Sequence, residues 1–346
     1  MKKLYKYLFA LVAFGTLVSS CSNDFDLTSP WKEIPVVYAI LSPKDEYHYI
    51  RVEKAFLDPE KSALVVAQIA DSLYYREEDI SVFLQKKGET ALYPLERVDG
   101  NLYGHVRDTG IFANTPNWLY RIKNSNLPGG LKEQSTYQMV IKRKDGRPDI
   151  TAETTIPKSF QIVAPNLSNT PRIITFTGDT PTSFRWTHDL NAVYFNLTLT
   201  LPYRERDANG TILRRDTIVW RAASNELATP GGSGNTQLLI NGAAFFQVLV
   251  DNIKTPNDGR VRVFGTTISI KVEGGGKEIR DFVLTEEANA GLTGAEIVQT
   301  YTNLSEGIGI FTAKNVALEG DFRLSEQTIT ALLNSPITRD LNIKIQ

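Results

Sequence analysis

The residue whose chemistry is easiest to assign is Cys21, the only cysteine among 346 residues. It follows the small residues Ser19 and Ser20, an apolar run over 7–18, and a start that carries three lysines within six residues. A basic start, a short apolar run and a small-residue cleavage site are the three parts of a secretory signal. The run is too short for a membrane-spanning helix of about 20 residues. The pattern predicts an exported chain with a reactive thiol at its new N-terminus.

Residues 18–21 (Val-Ser-Ser-Cys) resemble a bacterial lipobox. In that motif the cysteine thiol is lipidated, the peptide is cut before it, and the new N-terminus is acylated. We therefore expect a signal peptide over 1–20 and a membrane anchor at Cys21. Several acyl chains give stable attachment, whereas a single chain gives reversible attachment. Since the sequence has no second cysteine, the exported domains depend on their cores instead of disulfides.

A short polar tether is expected over 21–32. It contains Asp24 and Asp26, and this acidic stretch resembles the surface-export signal that follows the lipidated cysteine in many Bacteroidota lipoproteins. The resemblance implies a location on the outer membrane, facing the cell exterior. An ordinary flexible tether is the alternative, because Ser, Asn and Asp are common in such segments.

Other chemistry-bearing residues are sparse. The three histidines, His48, His105 and His188, form neither an H-E-x-x-H nor an H-x-H pair, so the sequence predicts no zinc or other metal site. It contains no G-x-S-x-G or S-x-x-K motif. The acidic runs at 77–79 and 286–287 are typical of solvated surface, and 207–210 (Asp-Ala-Asn-Gly) is typical of a hairpin turn with too few oxygens for calcium. We predict no catalytic residue, no cofactor and no enzymatic activity.

Aromatic side chains are the residues in this sequence best suited to bind a ligand or a protein partner. Tyr74 and Tyr75 stand in a polar stretch, and Trp118 lies in a strand-like segment. Such side chains stack on sugars or contact protein partners, but strands also use them for packing. Tyr74 and Tyr75 are better candidates for exposure than the tryptophans, with core packing as the alternative, and we regard all three residues as candidate binding residues.

Two triplets match the Asp-Ser/Thr-aliphatic pattern of O-glycosylation in Bacteroidota. They are Asp71-Ser72-Leu73 and Asp216-Thr217-Ile218, which makes Ser72 and Thr217 candidate glycosylation sites.

Charge excludes one class of partner. Removing residues 1–20 takes three lysines from the 38 basic side chains and leaves 39 acidic ones, a net charge of about −4. The sequence has no basic block that could follow a phosphate backbone, so we expect no nucleic-acid partner.

Period-two alternation of apolar residues predicts a mainly β fold of two β-sandwich-like domains. The first, over 33–157, ends in a hairpin at Asp145-Gly146 like that of immunoglobulin or fibronectin-III modules. A linker is expected over 158–171 and a second domain, with a few short helices, over 172–346. Asn241 and Ser325 are expected to cap two of these helices.

Two blocks resemble an uncharacterised Bacteroidota cell-envelope lipoprotein family. The first is Pro35–Leu41 followed by Tyr49–Val52, although Ala39 stands where the family usually has glycine. The second is 302–311, which fits the family's C-terminal N-x-x-x-G-x-G-x-F signature. The resemblance implies a β-rich envelope protein of unassigned activity, often encoded beside TonB-dependent receptors. We interpret Gly307 and Gly309 as a tight β-turn, with close approach of another backbone as the alternative.

These observations favour a non-enzymatic outer-membrane lipoprotein that acts as an accessory or binding partner of a β-barrel receptor of the TonB-dependent type, or of an assembly. A glycan-binding or glycan-degrading surface lipoprotein is the alternative, and a structural spacer or adhesin is a third. The glycan hypothesis requires an exposed aromatic platform, plus paired carboxylates about 5–10 Å apart if the protein hydrolyses its ligand.

Overall fold

The computed structural model describes residues 33–55, 62–178, 180–228, 234–254, 258–290 and 300–344. The chain is mainly β with short helices, as the alternation predicts, and its sheets pack in β-sandwich-like pairs. The strands up to residue 155 are β1 (Ile34–Leu41), β2 (Tyr47–Ala55), β3 (Ile80–Lys86), β4 (Tyr93–Pro94), β5 (Glu96–Asp99), β6 (Trp118–Lys123), β7 (Thr136–Arg143) and β8 (Ile150–Thr155).

The remaining elements follow in chain order. The strands are β9 (Ile162–Ala164), β10 (Arg172–Ile174), β11 (Thr182–His188), β12 (Tyr194–Arg206), β13 (Ile212–Leu227), β14 (Gly234–Ile240), β15 (Val261–Phe264), β16 (Ile268–Gly275), β17 (Ile308–Leu324) and β18 (Ile343–Lys344). The helices are α1 (Ala63–Ala67), α2 (Ala70–Leu73), α3 (Gly242–Asn252), α4 (Lys277–Ala290) and α5 (Glu326–Asn334).

One long sheet runs through both halves of the molecule in the order β18-β15-β12-β16-β17-β1-β2-β6-β5, with β13 on β12 and β10 on β17. At one end of this sheet, the sheet β4-β3-β7-β8 encloses a first core with residues such as Ile50 and Met139. At the other end, the sheet β14-β11-β9 encloses a second core around Trp186 and Phe195. Each core is lined by the apolar faces of alternating strands.

Strand β17 joins the two halves. Its first part pairs in parallel with β1, from Val36 opposite Ile308 to Leu41 opposite Ala313. Its second part pairs antiparallel with β16, starting at Lys314 opposite Gly275. Phe311 is fully buried in the first core, although the sequence analysis assigns it to the second domain. Local patterns carry no information about a pairing between strands about 270 residues apart, which is why this contribution was missed.

The expected linker over 158–171 is partly structured and packed. Phe160 and Ile162 are buried in the second core, and β9 pairs with β11. The prolines and polar residues that predicted a linker lie mostly after β9. The packed segment therefore begins the second half of the molecule.

Several local predictions are confirmed. Asn241 caps α3 by accepting a hydrogen bond from the Ala243 amide, and Ser325 caps α5 by accepting one from the Thr328 amide. The β7–β8 hairpin turns through Gly146 at φ +82°. In the β12–β13 hairpin, Asp207 accepts hydrogen bonds from the amides of Asn209 and Thr211.

The interpretation of Gly307 and Gly309 as only a tight turn is wrong. A bend does precede β17, but both glycines lie against the backbone of β1 at positive φ. A Cβ on Gly307 would stand 2.3 Å from the Pro35 carbonyl oxygen, and one on Gly309 would stand 1.9 Å from that of Val37. The alternative, close approach of another backbone, is the correct explanation.

Candidate functional site

The export-related residues lie outside the described part of the chain. Cys21, Asp24 and Asp26 all precede residue 33, so their lipidation and sorting roles stay predictions.

None of the described helices is long and apolar enough to cross a membrane.

Tyr74 is buried, contrary to the sequence-based expectation. It packs with Leu73 and Ala113 in a small apolar cluster, and its hydroxyl accepts a hydrogen bond from Arg107 Nη1 at 2.8 Å. Arg107 also bonds to Glu53 Oε1 at 2.6 Å. Burial raises the pKa of the Tyr74 hydroxyl. The side chain is therefore packed between α2 and β2 and offers no exposed surface to a ligand.

Tyr75 is also buried and lines a small cavity of about 350 Å³ with Glu33, Arg143 and Arg147. Burial, followed by the neighbouring Glu33 carboxylate, raises the pKa of the Tyr75 hydroxyl. Arg143 forms an ion pair with Glu306 at 2.6 Å, and Arg147 pairs with Glu33 at 3.1 Å. Because acidic groups balance the arginines, the cavity does not favour an anion.

Trp118 is half-buried at the start of β6. The Arg97 guanidinium lies 4.3 Å from the centre of its ring, so a cation–π contact already occupies one face. Tyr74, Tyr75 and Trp118 therefore do not form an exposed aromatic platform. Sequence alone could not distinguish these cases, because tyrosine suits a core as well as a surface.

The two candidate glycosylation sites differ in accessibility. Ser72 is half-buried in the short helix α2, whereas Thr217 is exposed on β13. Modification of either residue stays a prediction.

One carboxyl group with a raised pKa does line a cavity. Glu278, near the start of α4, is buried and accepts hydrogen bonds from Thr154 and Thr312 at 3.3 and 3.5 Å. Burial raises its pKa, and burial together with Glu278 raises the pKa of Tyr301 to about 12. Sequence analysis missed this group, because nothing local shows that Glu278 will be buried.

Perturbed pKa values in a cleft are a reason to consider catalysis. The cavity is also lined by Asp281 and Glu153, which form ion pairs with Arg280 and Lys87. Glu278 and Asp281 stand three residues apart on one helix face, so they cannot flank a glycosidic bond from opposite sides. The arrangement fits a buried structural carboxyl group better than an acid–base pair.

Across the described ranges, no three His, Cys, Asp or Glu side chains are grouped closely enough to hold a metal ion.

The most distinctive surface is the edge formed by β13. This strand has 16 residues, and among the described residues it pairs with β12 alone. Ile218 and Trp220 face the second core, so the alternating residues of the strand face solvent. The exposed face carries Leu213, Arg215, Thr217, Val219 and Arg221. A long edge strand presents unpaired backbone groups to which another strand can bind.

Like charges meet on this face. Arg215 lies directly opposite Arg204 of β12, and both side chains are exposed. They line a shallow cavity of about 440 Å³ together with Thr217, Thr267 and Asp216, whose carboxylate forms an ion pair with Arg214. Opposed like charges destabilise a strand pair, so two arginines at this register position suggest a negatively charged partner. The register between β12 and β13 is required to recognise the pair, which is why sequence analysis missed it.

The chain matches no known family model, and no curated protein matches it. Solved structures with some likeness include the C-terminal globular domain of an oligosaccharyltransferase from Pyrococcus abyssi, at 11% identity and a TM-score of 0.24 over 70% of this chain and 48% of that one. The chicken CNTN1 FN1-FN3 domains match at 7% identity and a TM-score of 0.15, over 82% and 66% of the two chains.

A third structure, CBD12 from CALX1.2, matches at 9% identity and a TM-score of 0.17, over 72% of this chain and 87% of that one. This chain spans only about half of the first of the three structures. At these scores the likenesses carry no argument about function.

Proposed function

We propose that the protein is a non-enzymatic, lipid-anchored binding protein of the outer membrane, facing the cell exterior. In this proposal Cys21 carries the acyl chains and the tether over 21–32 links them to the folded domains. Its partner is an outer-membrane β-barrel receptor of the TonB-dependent type or an associated assembly. The lipobox-like sequence and the acidic tether support the location, and the resemblance to the envelope lipoprotein family supports the kind of partner.

The edge of β13 carries the binding part of the proposal. We infer that it accepts an extended, acidic segment of the partner by strand addition. Backbone hydrogen bonds along the edge supply affinity in this mode, and side-chain contacts supply specificity. Arg204 and Arg215 are placed to contact carboxylates of such a segment.

A lipid anchor makes modest contacts sufficient. Both partners would be confined to one membrane, which raises their effective concentration and strengthens a weak interaction without new contacts. The glycan alternative loses its main support, because Tyr74 and Tyr75 are buried and Trp118 is stacked on Arg97.

Affinity purification from intact outer membranes tests the proposal. The tagged protein is compared with Cys21→Ala, with the double variant Arg204→Glu/Arg215→Glu, and with Arg185→Glu as the matched control. Arg185 is exposed on β11, a strand of the opposite sheet. We expect stoichiometric recovery of a β-barrel or assembly protein with the native chain and Arg185→Glu, and its loss with the other two variants.

Two results would contradict the proposal in different ways. Recovery of the protein alone would refute an accessory role. Equal recovery with the double arginine variant would leave an accessory role but refute β13 as the binding edge.

Thr217 provides a separate check on β13. It lies on the same strand face as Arg215, two residues away, so a glycan there would cover the arginine pair. A glycan on Thr217 would therefore block contacts between carboxylates of a partner and the arginine pair. If β13 binds its partner as proposed, the peptide containing Thr217 from the native protein should have its unmodified mass, whereas a glycan there would support the glycosylation prediction and count against the arginine contacts.

A further inference from the structure

An exposed apolar surface lies near the end of β2. It is formed by Leu64, Val65, Ile69, Ile111 and Phe112, which are between 48 and 62% exposed, and we call it the tether-end patch. These residues belong to two segments, one containing α1 and one preceding β6. Exposed clusters of large apolar side chains on soluble domains mark contact sites.

Hydrogen bonds hold the two segments of the patch together. The Ala113 amide donates to the Ala67 carbonyl at 2.8 Å, and Gln68 Nε2 donates to the Gly110 carbonyl at 3.1 Å. The patch is therefore one surface built from two neighbouring segments.

A chain of contacts connects the patch to the strand that follows the tether. The Arg107 guanidinium lies 5.3 Å from the centre of the Phe112 ring and bonds to Glu53 on β2. Glu53 pairs with Val36 on β1, only three residues after Glu33, the first residue that the structure describes. The end of β2, the patch and the tether thus share one end of the first sandwich.

The tether is short. Eleven residues lie between Cys21 and Glu33, so an extended chain that joins the two residues spans at most about 40 Å. An acylated Cys21 therefore keeps this end of the fold close to the bilayer. We propose that the tether-end patch contacts that bilayer and inserts its apolar side chains shallowly among the lipid headgroups. The proposal rests on the lipid anchor in the proposed function.

A lipid surface is the occupant that the observations favour over a protein. The tether limits how far this end of the fold can move from the bilayer, whereas β13, in the other half of the chain, carries the arginine pair suited to a protein partner. Asp71 and Asp108 lie within three residues of the patch along the chain. They offer no attraction to anionic lipid, so binding depends on buried apolar area, and we expect it in neutral phosphatidylcholine as well.

Site-directed spin labelling tests this contact. Because Cys21 is the only cysteine and acylation consumes its thiol, a single introduced cysteine takes the nitroxide. The labelled positions are Val65→Cys and Ile111→Cys, with Val219→Cys and Leu318→Cys as controls of similar exposure, at 67 and 64%. The full lipidated chain is reconstituted into phosphatidylcholine vesicles, its attachment is checked by flotation, and accessibility to oxygen and to a nickel chelate is measured.

We expect labels at positions 65 and 111 to lose access to the nickel chelate and gain access to oxygen, at a depth of about 5–10 Å. The control labels remain accessible to the chelate. Floating vesicles in which all four labels are equally accessible to the chelate would refute the contact but leave the anchor intact. Protein that does not float would refute the anchor and, with it, this inference. Protection at 65 and 111 in native membranes but not in pure lipid would overturn the inference in favour of a protein contact.

Discussion

Replacing Gly309 with alanine tests the central structural claim, that β17 completes the first sandwich by pairing closely with β1. Gly309 has φ +120°, and an added Cβ would lie 1.9 Å from the Val37 carbonyl oxygen and 2.8 Å from its carbon. Both contacts are with backbone, so no side-chain rotation relieves them. The strands must separate or the residue must change its conformation.

The cost of the substitution follows from two terms. A non-glycine residue at strained φ costs roughly 1–3 kcal/mol. Forcing extra volume into a packed site adds typically about 1–3 kcal/mol. We therefore expect Gly309→Ala to lower the free energy of unfolding by about 2–6 kcal/mol, a large part of the roughly 5–15 kcal/mol that stabilises a domain.

The same strand supplies a matched control. Gly320 also lies in β17, its φ is not in the positive region, and no atom lies within 4 Å of its added Cβ. Gly320→Ala should be neutral or slightly stabilising, by about 0.4–1 kcal/mol, because alanine restricts the unfolded chain.

Urea unfolding of both variants, followed by circular dichroism and by hydrogen exchange of β1 amides, measures the difference. The Gly309 variant should lose protection first in β1, where the parallel ladder to β17 begins. Equal midpoints for the two variants would refute the close pairing of β17 with β1 and, with it, the assignment of Phe311 to the first core.

Three further predictions concern buried or half-buried polar groups. Asn303 Nδ2 donates hydrogen bonds to the carbonyls of Glu153 and Phe311, and its Oδ1 accepts one from the Phe311 amide. Because Asn303→Ala removes all three, urea unfolding should show a decrease of about 1–3 kcal/mol in the free energy of unfolding. Asn209→Ala, at an exposed position, is the neutral control. Burial raises the pKa of Glu278, so the protonated carboxyl group contributes to stability fully below pH 4.5, and this contribution is lost as pH rises through the folded-state pKa. Glu278→Gln should therefore be more stable than the native chain at pH 7. A lower melting temperature of the variant at pH 7 would contradict this. Burial lowers the pKa of His48, so below pH 6.5 the unfolded chain binds protons more readily than the folded chain, and the free energy of unfolding falls with decreasing pH. His48→Gln should make the free energy of unfolding less dependent on pH in this range. An unchanged slope would exclude His48 as the source of the pH dependence.

The sequence predicts much of the local structure because local forces determine it. Alternation locates the strands, and the caps at Asn241 and Ser325 follow from side-chain hydrogen bonding to helix amides. The turn at Gly146 follows from the freedom of glycine at positive φ. These features require only neighbours along the chain.

Long-range features were not predictable from the same information. The burial of Tyr74 depends on Arg107 and Ala113, which lie more than 30 residues away. The opposed Arg204 and Arg215 appear only once the register of β12 and β13 is known. The candidate site is a product of tertiary pairing, and single-sequence periodicity does not encode register.

The resemblance to the envelope lipoprotein family has a structural explanation that limits what it says about function. In the C-terminal signature, Asn303 bonds to the backbone of Phe311, Gly307 and Gly309 admit the backbone of β1, and Phe311 fills the first core. Gly307 and Gly309 therefore serve the attachment of β17 to β1, while Asn303 and Phe311 hold β17 in the first sandwich. Packing alone explains each of these residues, so the signature carries no information about function. In the proposed function, binding therefore depends on residues outside the signature, such as the exposed faces of β13 and of the tether-end patch.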